Sequence, residues 1–280
     1  MRYTTLIDTA TLASLLPVRR VLIADCRFDL KDAAAGALAF DEGHIPGAVY
    51  VHLDRDLSAP KTGMNGRHPL PDPTTLAQTL GRLGIGTGTQ VVAYDQDSGM
   101  FASRLWWMLR WMGHDEVAVL DGGYARWTAE GRPTRGGAEV RHATTFVARP
   151  RGDMLVSGDQ VKELADQGFR LLDARAPERY RGDVEPLDRV AGHIPGALNH
   201  FFQSNLDAGG SFRSAHDLAT SLTATLGGAP PDRVICYCGS GVTACHDLLA
   251  MEHAGLTGAK LYAGSWSEWS ANPDRPIERG

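Results

Sequence analysis

Late in the chain, residues 238–243 read Cys-Gly-Ser-Gly-Val-Thr, and these are the residue types and spacing from which nucleophilic chemistry is built. The apolar run Val234-Ile235-Cys236-Tyr237 precedes them, and the helix-like run from Ala244 to Met251 follows. The pattern predicts a strand, a tight glycine-bearing loop and a helix. Backbone N–H groups of such a loop and of the first helical turn have no intrahelical partner, so they can converge on one anion. Here that anion is the thiolate of Cys238, because a helix N-terminus draws a cysteine pKa from about 8.5 into a range of roughly 3.5 to 7.5. Gly239 and Gly241 let the backbone curl around the sulfur. The plain alternative is a buried structural cysteine beside a turn. A second group with chemical potential is the arginine-rich stretch carrying Arg175, Arg179, Arg181 and Arg189, since a guanidinium binds a carboxylate through two parallel hydrogen bonds. Arg175 is expected to pair with Asp173.

The elements that must position these residues occur twice. Val21-Leu22-Ile23-Ala24-Asp25, with Arg27 two on, is echoed by Leu171-Leu172-Asp173 with Arg175. Gly43-His44-Ile45-Pro46-Gly47-Ala48 recurs as Gly192-His193-Ile194-Pro195-Gly196-Ala197, and Val91-Val92-Ala93-Tyr94 recurs as Val234-Ile235-Cys236-Tyr237. Gly122-Gly123-Tyr124 with Trp127 matches Gly264-Ser265-Trp266 with Trp269. Four landmarks in one order describe a duplicated domain, too long in period for a solenoid repeat. The division expected is a first domain at residues 1–137, a linker at 138–155 rich in turn residues, and a second domain at 156–280. Within each copy, apolar runs alternate with helical patterns. Asp72 and Ser214 are predicted N-caps of matching helices whose apolar faces are Leu76, Leu80 and Leu83, and Leu218, Leu222 and Leu226. This is an α/β pattern: a largely parallel sheet flanked by helices in each domain.

The first copy has Asp95 at the position of Cys238, so it lacks the nucleophile and is expected to be catalytically inactive, with Asp95 capping the helix that follows. That helix carries Trp106, Trp107 and Trp111, read as packing residues. His44 and His193 sit in a turn common to both copies, which favours a structural hydrogen-bonding role over catalysis.

Over 280 residues with a net charge of −5 and interspersed signs, no basic face offers itself to nucleic acid or an anionic membrane, so the expected partner is small. The start of the chain lacks the apolar core of a secretory signal, and no stretch approaches the roughly 18 apolar residues of a membrane span. A cytoplasmic protein is expected. Four cysteines, three of them within ten residues, make neither a secreted disulfide framework nor a zinc finger, and no metal is expected. Cys236 and Cys245 lie close enough in sequence to raise redox control of Cys238 as a question.

The Cys238 loop and the duplicated landmarks resemble those of the two-domain rhodanese-family sulfurtransferases, over nearly the whole chain. Cys-Gly-Ser-Gly-Val-Thr is similar to the 3-mercaptopyruvate type of that family; the thiosulfate type typically carries basic residues directly after the cysteine. The resemblance implies one rhodanese fold per copy, no organic cofactor, and Cys238 as persulfide carrier. It implies Ser240, His68 and Asp54 as a proton relay, and Arg179 as a donor-binding arginine six residues after Asp173. A second donor arginine, which follows a Glu-Pro pair in the family, falls on Arg189 after Glu185-Pro186, in a segment shorter than usual. Gly239, Gly241, Val242 and Thr243 are implied to contact donor or persulfide, and Trp266 to wall the pocket. Thr243 has a second possible role, as cap of a helix starting at Ala244.

The function expected is transfer of sulfur from a small anionic donor, 3-mercaptopyruvate, to a thiol or cyanide acceptor, with thioredoxin and glutathione as candidate physiological thiols. Thiosulfate is the alternative donor by the same persulfide. A cysteine phosphatase needs an arginine six residues after the nucleophile, where this chain has Ala244. A non-catalytic sulfur-carrier or docking protein is the remaining alternative, distinguished by the absence of turnover.

Overall fold

The computed structural model describes residues 2–280 and divides into two units. The first contains residues up to Ser58, Pro71–Arg151 and Ala208–Ser211; the second contains Ala59–Leu70, Gly152–Asp207 and Phe212–Gly280. The unit boundaries therefore do not follow the chain: the segment carrying His68 belongs to the second unit, with Cys238, whereas Asp54 belongs to the first.

The first unit runs β1 (Leu6–Ile7), α1 (Thr9–Leu15), β2 (Val21–Asp25), α2 (Ala35–Glu42), β3 (Ala48–Tyr50), α3 (Leu53–Asp56), α4 (Pro73–Arg82), β4 (Gln90–Tyr94), α5 (Ala102–Trp111), β5 (Val117–Leu120) and α6 (Gly123–Ala129). The second runs β6 (Leu155–Val156), α7 (Gly158–Asp166), β7 (Arg170–Asp173), α8 (Pro177–Arg181), β8 (Leu198–Asn199), α9 (Ala215–Thr225), β9 (Val234–Tyr237), α10 (Thr243–His253), β10 (Lys260–Tyr262) and α11 (Ser265–Trp269). Both sheets are parallel, with orders β1-β5-β4-β2-β3 and β6-β10-β9-β7-β8. One order is the other renumbered, which is the structural face of the sequence repeat.

The central strands read as continuous apolar runs because helices cover both faces of a parallel sheet. All five residues of β4 and all four of β9 are buried. Asp72 accepts hydrogen bonds from the Thr74 and Thr75 amides and Pro73 opens α4, as the sequence predicts; Ser214 accepts from the Asp217 amide at the start of α9. Leu218, Leu222 and Leu226 are buried along α9, each worth about 1.5–3 kcal/mol of apolar burial. Trp106, Trp107 and Trp111 are buried in α5.

The duplicated Asp-x-Arg and His-Ile-Pro-Gly-Ala elements interlock identically in each unit. Arg27 grips Asp25 through Nε and Nη2 and donates to the Gly43 carbonyl; Arg175 does the same to Asp173 and Gly192. His44 stacks on Phe40 and donates from Nδ1 to its carbonyl at 2.8 Å, and His193 repeats this on Tyr180. These arginines and histidines therefore fix turns: His44 and His193 have the structural role read from their repetition, and Arg175 makes the Asp173 pair expected of it. Among the described residues, no helix is long and apolar enough to cross a membrane.

Candidate active site

Cys238 follows the last residue of β9, at the carboxyl end of the middle strand of its sheet, where ligands of open parallel sheets bind. Its main chain is held from one side by the turn that leads into α11. The Cys238 amide donates to Ser265 Oγ (3.0 Å), its carbonyl accepts from the Trp266 amide (2.9 Å), and the Gly239 carbonyl accepts from the Ser267 amide (2.9 Å). Ser265 adopts φ +56°, a left-handed conformation that is costly for a side-chain-bearing residue and is compensated by those bonds. Gly241 has φ +76°, and a Cβ there would stand 2.4 Å from the Ala263 carbonyl oxygen, so only glycine fits.

The sulfur lies inside this curl. Cys238 is 2 % exposed and Gly241 donates its amide to Sγ at 3.1 Å. Burial alone would push the thiol up; hydrogen bonds from the Thr243 hydroxyl and the Ser240 and Ala244 amides outweigh it, with Asp173 opposing, and the thiol is held below its ordinary value. Asp247, one turn into α10, is fully buried, and burial pushes its carboxyl well up. It accepts from Asn205 Nδ2 at 2.7 Å. Cys236 and Cys245 are buried free thiols, Cys236 against Met251 and Cys245 donating to the Gly241 carbonyl. Burial pushes the Cys236 thiol well up.

The first unit holds an internal comparison. Asp95 occupies the equivalent of Cys238, fully buried, and its carboxylate accepts from the amides of Phe101 (2.7 Å), Gly99 (2.9 Å) and Ala102 (3.0 Å). The convergent amides expected around the nucleophile thus hold a carboxylate in one copy and a sulfur in the other.

His68 and Ser240 are brought together: Nδ1 lies 2.7 Å from Oγ, and both residues are buried. The His68 segment is tied to the cysteine loop through Ser267, whose Oγ accepts the Arg67 amide at 3.0 Å while its own amide serves Gly239. Asp54 lies in α3 of the first unit. Thr243 opens α10 one residue earlier than expected and is not its cap; Val242, buried, holds the N-cap position and makes no side-chain capping bond. The Thr243 hydroxyl is directed to sulfur instead. Trp266, expected to wall the pocket, is fully buried in the hydrophobic core, with Nε1 donating to the Val190 carbonyl and its ring against Arg175.

Arg179 stands beside the loop. Its Nε and Nη2 are engaged by Glu185 at 2.7–3.3 Å, leaving Nη1 directed toward Gly239, 3.5 Å from where a Cβ would be. Arg189 is exposed on a cleft of about 600 Å³ that Lys61, Arg67, Leu187 and Asp188 also line. The residue that sequence reasoning missed is Arg67. Its Nη2 lies 2.7 Å from a Cβ position at Gly239, and its Nη1 donates to Asp188. Its adjacency to His68 in sequence was the only signal.

Residues 8–130 and 157–272 match the Rhodanese-like domain. A Pseudomonas aeruginosa protein named "Probable 3-mercaptopyruvate sulfurtransferase" is 46% identical, over 98% of this chain and 98% of its own length. The thiosulfate sulfurtransferase of Gallus gallus is 35% identical, over 82% of this chain and 79% of its own. Of solved structures, SseA from Escherichia coli, described as a 3-mercaptopyruvate sulfotransferase, superposes with a TM-score of 0.81 at 30% identity, covering 94% of this chain and 99% of its own. Two matched domains, one bearing a cradled cysteine and the other a cradled aspartate, place the chain in the rhodanese family as a two-domain sulfurtransferase.

Proposed function

We propose that the chain moves sulfur from 3-mercaptopyruvate to a thiol or cyanide through a persulfide on Cys238. The observation that carries this reading is the pairing of a buried, hydrogen-bonded Cys238 sulfur with the Ser240–His68 contact at 2.7 Å in the same loop. In the first half-reaction the Cys238 thiolate attacks the thiol sulfur of the donor, forming an S–S bond. The donor's C–S bond breaks and its electron pair passes to carbon, giving the enolate of pyruvate. Ser240, backed by His68, delivers a proton to that enolate. In the second half-reaction an acceptor thiolate or cyanide attacks the outer sulfur, the S–S bond breaks and Cys238 leaves as thiolate, stabilised by the same loop donors. Arg179 presents Nη1 to the donor carboxylate. Relatives named for both donors keep thiosulfate as the second reading, in which sulfite leaves and no enolate needs a proton.

The test is steady-state transfer to cyanide from each donor. Cys238→Ser is expected to abolish turnover with both. Ser240→Ala is expected to lower kcat/KM for 3-mercaptopyruvate by about 10²–10⁴, the usual range for a positioned acid or base, with a smaller effect on thiosulfate. Turnover surviving in Cys238→Ser would overturn the persulfide, and equal losses with both donors in Ser240→Ala would overturn the relay.

A further inference from the structure

We propose that the Arg67–Asp188 ion pair selects the donor by charge: Arg67, together with Arg179, holds the donor's anionic group, and Asp188, which that group must displace from Arg67, favours a monoanion over a dianion. This rests on the sulfurtransferase reading above and deepens it.

Two guanidinium groups converge on Gly239, next to the nucleophile: Arg67 through Nη2 and Arg179 through Nη1. Each already has a carboxylate. Glu185 is firmly held, 3 % exposed, accepting from Arg175 Nη1 (3.3 Å), from Arg179 Nε and Nη2, and from the Leu187 and Asp188 amides. Asp188 is held differently. Its Oδ1 accepts from Arg67, while its Oδ2, buried, accepts no hydrogen bond and stands 3.7 Å from Arg179 Nη2. A carboxylate with one oxygen bonded and the other buried without a donor is the weaker counter-ion, since an unsatisfied buried acceptor is costly. It lies between the two arginines.

The charges nearest Gly239 therefore balance, two arginines against two carboxylates. A monoanionic donor that takes Arg67 from Asp188 adds one negative charge to that balanced set. A dianion such as thiosulfate brings one further negative charge against Glu185 and Asp188, and is disfavoured. The loop string itself is neutral, so the charged groups that bear on the donor come from residues far from it in sequence.

The experiment measures kcat/KM with 3-mercaptopyruvate and with thiosulfate, cyanide as acceptor, for wild type, Asp188→Asn, Asp188→Ser, Arg67→Ala, Arg67→Lys and Arg189→Ala. One unit charge removed at about 4 Å in a water-like dielectric corresponds to roughly a fivefold effect per charge on the ligand. Asp188→Asn is therefore expected to raise the thiosulfate-to-mercaptopyruvate ratio at least about fivefold, and Asp188→Ser, which keeps the charge change with a different shape, to do the same. Arg67→Ala is expected to raise KM for both donors more than Arg189→Ala does, with partial recovery in Arg67→Lys. A smaller change of ratio in whichever Asp188 variant folds, or a larger loss in Arg189→Ala than in Arg67→Ala, overturns the proposal. Cys238→Ser separates the two failures: if it is inactive while the ratio stays put, only the charge selection falls; if it is active, the underlying reading falls.

Discussion

Thr243→Val isolates the hydroxyl that faces the sulfur. Valine keeps the β-branched shape at the first position of α10, so the helix start and its packing are preserved and one hydrogen bond to Cys238 is removed. A hydrogen bond to a charged group contributes about 1.5–3 kcal/mol. Each 1.36 kcal/mol is about a factor of ten between protonation states. The thiolate-to-thiol ratio of Cys238 at any one pH is therefore expected to fall about ten- to hundredfold. The sign follows from what the hydroxyl does: it donates, so it favours the anion, and removing it moves the titration midpoint up. The acid limb of activity shifts to higher pH, while well above both midpoints the two proteins are equally ionised. Ultraviolet thiolate absorbance across a pH series reads this directly, with Cys238→Ser as blank, because burial pushes the Cys26 and Cys236 thiols well up. An unchanged or lowered midpoint would refute the assignment and leave the loop amides as the sole source of stabilisation.

Gly241→Ala places a Cβ 2.4 Å from the Ala263 carbonyl oxygen at a left-handed φ, and is expected to destabilise the second unit by about 2–4 kcal/mol in chemical denaturation while weakening the amide bond to sulfur; a wild-type denaturation midpoint would contradict this. Asp95→Ala leaves the buried amides of Gly99, Phe101 and Ala102 without their acceptor and is expected to cost the first unit about 3 kcal/mol or more, seen as earlier hydrogen exchange in α5. Exchange in α5 as slow as wild type would mean that those amides find another acceptor.

The duplicated α/β architecture was legible because its signals are local. Asp72-Pro73 and Ser214 mark helix starts through bonds to amides two or three residues away, and the apolar runs of β4 and β9 report burial on both faces. Cys238 was legible for the same reason, since strand, glycine loop and helix are contiguous. Arg67, Asp188 and Ser265 were not. The contact of Arg67 with Gly239 spans more than half the chain, and it depends on the segment Ala59–Leu70 leaving the unit that surrounds it in sequence to join the other. No periodicity encodes such an excursion. Arg189, expected as a second donor arginine from its place after Glu185-Pro186, lines the same cleft as Arg67, and the guanidinium nearest Gly239 comes from residue 67.

The two copies of the cradle make the strongest physical argument for what the second one does. A ring of backbone amides at the end of a central strand is an electrostatic device indifferent to the atom it holds, provided that atom is negative. In the first unit it surrounds Asp95, where burial pushes the carboxyl up against the opposing pull of the Ala102, Gly99 and Phe101 amides. In the second it holds Cys238, whose thiolate the loop donors favour and which is the nucleophile of the proposed transfer. In the proposed transfer the same amides also suit the return half, because the leaving group is again the Cys238 thiolate. Stabilising that anion favours its departure from a persulfide as much as its formation. In the proposed transfer, a loop that itself lowers the Cys238 pKa leaves the Ser240–His68 contact available for the donor's carbon, and the one site serves two half-reactions with opposite demands.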